Sequence, residues 1–321
     1  MAVEILLRFT AMGDLLLAVP AARALAARGS QVEWVIHRRW SQLAPFLPAR
    51  VHVWGKIGDL FPLARRLRAL QPDRVHDLQG KLASIFLSTI IGTTVTRYRK
   101  RDCIENIRSA FGKYPLSGGE PRPVWQRYLE TVGTPGAAPD GGLVFPSNRL
   151  LEAQNWLRTE RGLEPYSYVL FHPGASQIGK ILPKAAGKAF LDALHNPVVI
   201  GDCPEPALTG NFVDFRGRLP LNRLPDLMML SNGLISSDSG PMHLGRAVGI
   251  PVVGVFIQTD PVLGFSPIPS PRTKVFSRTL PCKPCSLHGQ RAVCPVGNWA
   301  CRDLPWPSIA REVSGFLENA A

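Results

Sequence analysis

Both halves of the chain alternate short apolar runs with segments of helix length, and that alternation restricts the fold more than any other feature of the sequence. In the first half, Glu4–Phe9, Val32–Ile36 and Arg74–Leu78 read as strands. Asp14–Arg28, with Leu15, Leu16, Val19, Leu25 and a string of alanines, reads as a helix. In the second, Tyr168–Phe171, Pro197–Ile200, Gly233–Ser236 and Pro251–Phe256 are apolar runs separated by helical stretches. Runs apolar throughout belong to strands covered on both faces, so the pattern predicts parallel sheets flanked by helices. Between the halves, Gly133–Gly142 reads GTPGAAPDGG, rich in Pro and Gly and without periodicity. It places a boundary near residue 145, dividing the 321 residues into domains 1–145 and 146–321. Two open α/β sheets predict a ligand cleft at the carboxyl ends of their strands.

Charge narrows the partners. The chain carries a formal +13, and residues 1–145 hold 20 Lys+Arg against 11 Asp+Glu, a net +9, while 146–321 hold 17 against 13, a net +4. An anionic partner is implied, and nucleic acid, phosphorylated small molecules and anionic membranes all satisfy it. With 45% hydrophobic and only 19% charged residues, the chain is no disordered basic tail. The longest apolar stretches, such as Ser84–Gly92, fall short of the roughly 20 residues of a membrane-spanning helix. The opening MAVEILLRFT carries Glu4 and Arg8 where an export signal needs an apolar core, so it reads as a strand. These features predict a cytoplasmic protein, with peripheral attachment to the inner membrane left open.

Three strand-to-helix turns carry residues suited to chemistry. In Ile235–Gly249, ISSDSGPMHLGRAVG, Asp238 or Ser239 can cap a helix, Gly240 lets a ligand approach the backbone, and Pro241 fits the first turn. The N–H groups and dipole of such a helix start suit a phosphate or diphosphate, although an ordinary capped helix explains the same residues. Met242 and His243 complete that turn. In Phe171–Pro183, FHPGASQIGKILP, the single Lys180 follows a strand and could neutralise a diphosphate, or simply be solvated. In Arg8–Pro20, RFTAMGDLLLAVP, Asp14 stands where the first strand turns into its helix; it can serve as a general base or merely as an N-cap. Asp77-Leu78-Gln79-Gly80-Lys81 is a comparable turn, and Arg97, Arg99, Lys100 and Arg101 form a basic cluster beside Tyr98.

Cys282, Cys285, Cys294 and Cys301 form a CxxC pair followed by two further thiols, a set that could close around a structural zinc or remain free or paired. Six cysteines in all are too sparse for a disulfide scaffold. Neither GxxxxGK[ST] nor GxGxxG after the first strand occurs, which disfavours a P-loop NTPase or a dinucleotide oxidoreductase. HExxH and DxD are also missing, so catalysis by a dedicated metal has no support.

Taken in order, MGDLLLAVPAARAL, DLQGKLAS at Asp77–Ser84, HPGASQIGKILP, the Leu219–Phe256 stretch containing DSGPMHLG, and the CxPC segment resemble the heptosyltransferases of lipopolysaccharide core assembly, glycosyltransferase family 9. The resemblance implies a GT-B fold of two Rossmann-like domains facing a central cleft, the first for the acceptor and the second for the nucleotide sugar. It implies an inverting transfer of heptose from ADP-heptose or a related nucleotide sugar to an anionic lipid-linked oligosaccharide of the Kdo-lipid A type. It implies that no cofactor is required, that nucleic acid is not a partner, and that the work is done at the inner-membrane surface. Asp14 matches the general base, Lys180 the lysine of a K-x-W-P motif, and Asp238, Ser239, Gly240, Pro241, Met242 and His243 the diphosphate turn. Glu205 matches an acidic residue near the nucleoside by spacing, and Gln79, Lys81, Arg97, Arg99 and Lys100 fall to the acceptor. The motif's Trp is Leu182 here, and Gln258–Pro269 departs from the aromatic-Gly-Pro pattern of many members, both bearing on the donor. Another nucleotide sugar, or donor binding without catalysis, are the readings that compete.

Overall fold

The structure, a computed structural model, describes residues 1–98, 122–202 and 206–320. It divides into two α/β units, residues 1–98 with 122–145, and residues 146–202 with 206–320.

In the first unit the elements run β1 (Val3–Leu7), α1 (Met12–Leu17), α2 (Val19–Ala27), β2 (Gln31–His37), β3 (Arg50–Trp54), α3 (Leu60–Ala69), β4 (Arg74–Asp77), α4 (Leu82–Ile91), β5 (Thr94–Arg97) and α5 (Val124–Thr131). The strands form one parallel sheet in the order β3-β2-β1-β4-β5. Every strand therefore ends at the same edge, which collects the turns after β1, β3 and β4. Helices α3 and α4 pack side by side and bury Leu60, Leu63, Leu67, Leu87 and Ile91 against Ile5, Leu7, Val35 and Val75 of the sheet. Glu4 and Arg8, the two charges of the opening segment, are both buried and paired. Glu4 takes Arg28, Ser30 and His76, and although burial opposes its charge these partners hold its carboxyl down to about 2.

The second unit runs α6 (Arg149–Trp156), β6 (Val169–His172), α7 (Lys184–Ala193), β7 (Pro197–Val199), β8 (Val213–Asp214), α8 (Leu224–Met229), β9 (Leu234–Ser237), α9 (Gly240–Val248), β10 (Val252–Phe256), β11 (Thr273–Ser277) and α10 (Trp306–Ala320). Its strands are again parallel, ordered β11-β10-β9-β6-β7-β8. Phe171, Ile235, Val253 and Val255 of the sheet pack with Phe190 of α7 and Ile309, Val313 and Leu317 of α10. Leu182 lies in this core, 1% exposed, so the residue standing for the motif's tryptophan is a packing residue here. Gly249 ends α9 at φ +96, a left-handed conformation that strains other residues, and the chain passes through Ile250 and Pro251 into β10.

Two expectations are corrected. The helix expected over Asp14–Arg28 is two helices with a break at Ala18, because Pro20 in the first turn of α2 has no N–H to give and its ring crowds the carbonyl four residues back. Strands β3, β5, β8 and β11 were not expected. Their residues are mostly half-buried or exposed, so they lack the apolar run that marked the central strands. Among the described residues no helix is long and apolar enough to cross a membrane.

Candidate active site

Asp14 lies in the first turn of α1 as its third residue; Ala11 is the N-cap, and the Asp14 carboxylate accepts from the Ala11 amide at 3.3 Å, so the N-cap reading of Asp14 is corrected. Arg8 Nη2 stands 2.6 Å from Asp14 Oδ2, and the Tyr128 hydroxyl donates to Oδ1 at 3.3 Å. Arg8 is 4% exposed and also donates to the Leu78 carbonyl. Burial opposes its charge, but Tyr128 and Asp14 outweigh that and raise the guanidinium further. Burial pushes the Tyr128 phenol well above its ordinary value, so it remains a donor at any working pH. The carboxylate is thus aimed by a fixed cation and a fixed hydroxyl, while 22% of its side chain stays open to solvent.

Gln79 is buried, and its side-chain oxygen accepts from the amides of Phe9 and Thr10. It holds the Asp14 loop from below. Asp77 accepts from the amides of Gln79 and Gly80 and pairs with Arg97 at 2.9 Å, and Arg97 also reaches Ser88. Two residues assigned to the acceptor are therefore already engaged within the unit. Lys81 is exposed at the start of α4. Arg99, Lys100 and Glu205 lie outside the described residues.

In the second unit, Asp238 follows β9 and Lys180 lies in the loop after β6. Lys180 Nζ is 2.8 Å from Asp238 Oδ2, and the Thr259 hydroxyl donates to the same oxygen at 2.7 Å. Ser239 sits at the N-cap of α9 but makes no capping bond. Its hydroxyl turns to His172 Nδ1 at 3.0 Å and to the Ser237 carbonyl. The first turn of α9 is thereby left without a side-chain cap, with half-buried Gly240 and Pro241 at its mouth. Met242 is fully buried, its sulfur close over Gly254, where it seats the helix on the sheet; His243 is buried too.

Sequence reasoning missed several residues that complete these sites. Arg8 and Tyr128 hold Asp14, and His172 and Thr259 hold Ser239 and Asp238; Gln79 was singled out, but for the acceptor and not for the backbone of Phe9 and Thr10 that it ties down. A segment carrying the cysteines covers Lys180: Gly289, at φ +73, lies so close that an added Cβ would meet Lys180 Cγ at 2.6 Å. The Gly289 carbonyl accepts from Gly179, and Gln258 grips both backbone groups of Arg291. Cys282, Cys285, Cys294 and Cys301 are free thiols that line one small cavity. Burial raises Cys285 and Cys301, and neighbouring thiols raise each further. Among the described residues no group of three or more His, Cys, Asp or Glu side chains is gathered at metal-holding separations.

Two parallel-sheet α/β units with polar turns at their strand ends fit the GT-B class of glycosyltransferases, and the family profile supplies the class. The profile of glycosyltransferase family 9 (heptosyltransferase) matches residues 60–294, and the chain belongs to that family. It is 22% identical over 314 residues to lipopolysaccharide heptosyltransferase 1 of Pseudomonas aeruginosa, covering 88% of this chain and 85% of the relative. Its fold matches the glycosyl transferase family 9 structure from Veillonella parvula with a TM-score of 0.76 at 18% identity, over 99% of this chain and 97% of the other. The E. coli ADP-heptose lipopolysaccharide heptosyltransferase II gives a TM-score of 0.72 at 17% identity, over 99% of both.

His172 generates a pH prediction. Burial lowers its imidazole to about 4 from the ordinary 6.5. As pH falls below about 6.5 the unfolded chain takes up a proton that the folded chain refuses, so stability is full above that point and declines down to about pH 4, by about 3 kcal/mol. Denaturant midpoints followed from pH 7 to pH 4 should show this slope in the wild type and a shallower one in His172→Gln.

Proposed function

We propose that the chain transfers heptose from ADP-heptose, with inversion, to a hydroxyl of an anionic lipid-linked oligosaccharide of the lipopolysaccharide inner core. The observation that carries the reading is the second unit's cluster, in which Lys180, Asp238 and the uncapped start of α9 converge at the strand ends. It offers a cation and backbone donors to a diphosphate. Membership of family 9, and the donor and acceptor named for the relatives above, support the choice of sugar and acceptor.

Asp14 takes the proton of the acceptor hydroxyl as that oxygen bonds to the anomeric carbon. On the opposite side the bond from carbon to diphosphate oxygen breaks, and ADP leaves with the electron pair. Lys180 and the N–H groups at Ser239 and Gly240 stabilise the charge that develops there. Arg8 and Tyr128 keep Asp14 pointed, and no metal takes part. The work is done in the cytoplasm, at the inner-membrane surface. Removing a general base typically lowers a rate by about 10² to 10⁴. Incubated with ADP-heptose and Kdo-lipid A, the wild type should add the mass of one heptose, and Asp14→Asn should lose turnover by that range while binding ADP as before. A variant that turns over like the wild type removes Asp14 from the role of base; ADP binding without transfer by the wild type leaves a binding protein.

We further propose that the four thiols hold a structural zinc. The donor set fits, since four thiolates satisfy a tetrahedral ion, and the loop is already pinned beside the cavity by buried Lys283, which donates to the Phe256 carbonyl and Ser277. Binding requires the thiol side chains to turn inward onto one centre. Its effect would be to fix the segment that carries Gly289 over Lys180. Metal analysis of the purified chain should find about one zinc per molecule, lost in Cys282→Ser/Cys285→Ser; a metal-free chain with four freely titrating thiols contradicts it.

A further inference from the structure

The outer surface of helices α3 and α4 exposes large apolar side chains with no partner among the described residues. Ile57, just before α3, is 85% exposed and Leu82, at the start of α4, is 86% exposed; Phe61, Ile85 and Phe86 are also exposed. These two helices pack side by side over one face of the first sheet and bury their other sides in its core. Single exposed apolar residues are ordinary, but five on two adjacent helix starts, two of them Phe, are a patch.

Charge surrounds it. Lys56, Arg65, Arg66 and Lys81 are exposed on the same segments, and neither α3 nor α4 contains an acidic residue. Asp59, the acidic residue between β3 and α3, is occupied by the amides of Gly55 and Lys56, which together hold its carboxyl below the ordinary range. The direction of the sheet adds a third observation. Because β1, β3 and β4 are parallel, Ile57 and Leu82 follow strand ends at the same edge of the sheet as the Asp14 turn.

We infer that the α3–α4 face is a docking surface for an anionic lipid bilayer, with Phe61, Leu82 and Phe86 entering the headgroup boundary and Lys56, Arg65 and Lys81 meeting the lipid phosphates. The chemistry is that of an interfacial amphipathic surface, in which apolar area and basic charge act together. A protein partner or a second copy would cover the apolar patch equally well, but Lys56, Arg65, Arg66 and Lys81 outnumber the one carboxylate among them, Asp59, so the surround is net basic, which matches a negative surface and disfavours a second copy. The inference deepens the reading of a lipid-linked acceptor: docked by the helix starts that carry Ile57, Phe61 and Leu82, the sheet edge that bears Asp14 lies beside the membrane in which such an acceptor is held.

The test needs neither donor nor acceptor. The full chain is sedimented with sucrose-loaded vesicles of phosphatidylglycerol and phosphatidylcholine, or of phosphatidylcholine alone. The wild type should bind the anionic vesicles, bind neutral ones weakly, and lose affinity at high salt. Phe61→Glu/Phe86→Glu should weaken binding by about tenfold or more with ADP affinity unchanged and the fold retained, since Phe61 and Phe86 are 54% and 44% exposed and lie outside the nucleotide site. The inference fails if the double variant binds as tightly as the wild type, if the wild type ignores anionic vesicles, or if it sediments as a dimer that the double variant dissolves. Heptose transfer assayed on a deacylated, soluble acceptor reports on the proposed function separately, so loss of one reading leaves the other measurable.

Discussion

The ion pair between Lys180 and Asp238 is the contact on which the second unit's site depends. Its partners come from the loop after β6 and the end of β9, neighbouring strands of one parallel sheet, so the 2.8 Å contact exists only once that sheet has formed. Removing one member of a nearly buried pair leaves the other charged without compensation, which is why both must stay. Thr259 adds a hydroxyl to the same carboxylate oxygen, and Gly289 closes over the lysine from the cysteine segment. The result is a lysine whose head is fixed before any ligand arrives. A carboxylate is also a weaker claimant than a diphosphate carrying more charge, so the pair can yield to the anion without a rearrangement of the fold.

The first unit repeats that logic with the signs reversed. There the residue with work to do is the carboxylate, and the buried cation serves it. Arg8 could not stay charged at 4% exposure unless Asp14 and the ring of Tyr128 stood beside it, its guanidinium lying 5.6 Å from the ring centre. Gln79 then ties down the backbone between them. Parallel sheets make both arrangements natural, because every strand delivers its polar turn to one edge while its apolar run fills the middle.

How much of this was legible in the sequence follows from how local each signal is. The central strands announced themselves, since Phe171, Ile235 and Val255 lie in runs that are apolar throughout. The edge strands did not: β3 and β11 carry half-buried residues and resemble loops until a neighbour pairs with them. Asp14, Lys180 and Asp238 were visible because a strand-to-helix turn has a recognisable composition. Their partners were not, for Tyr128 reaches Asp14 from a helix on the far side of more than a hundred residues, and Thr259 reaches Asp238 across β10. Gln79 and Arg97 were read as acceptor contacts from their place in basic or polar turns, yet their side chains are engaged by the loop backbone and by Asp77. Pattern alone does not distinguish a polar side chain that waits for a ligand from one that holds up its neighbour.

If Lys180 is held for a diphosphate, its worth must scale with the phosphates present. Calorimetric binding of ADP and of AMP to the wild type and to Lys180→Met tests this most directly. The account predicts that the substitution weakens ADP by about tenfold or more, as loss of a charged hydrogen bond of about 1.5 to 3 kcal/mol would, and leaves AMP nearly unchanged. Equal losses for both nucleotides, or none for either, would contradict it.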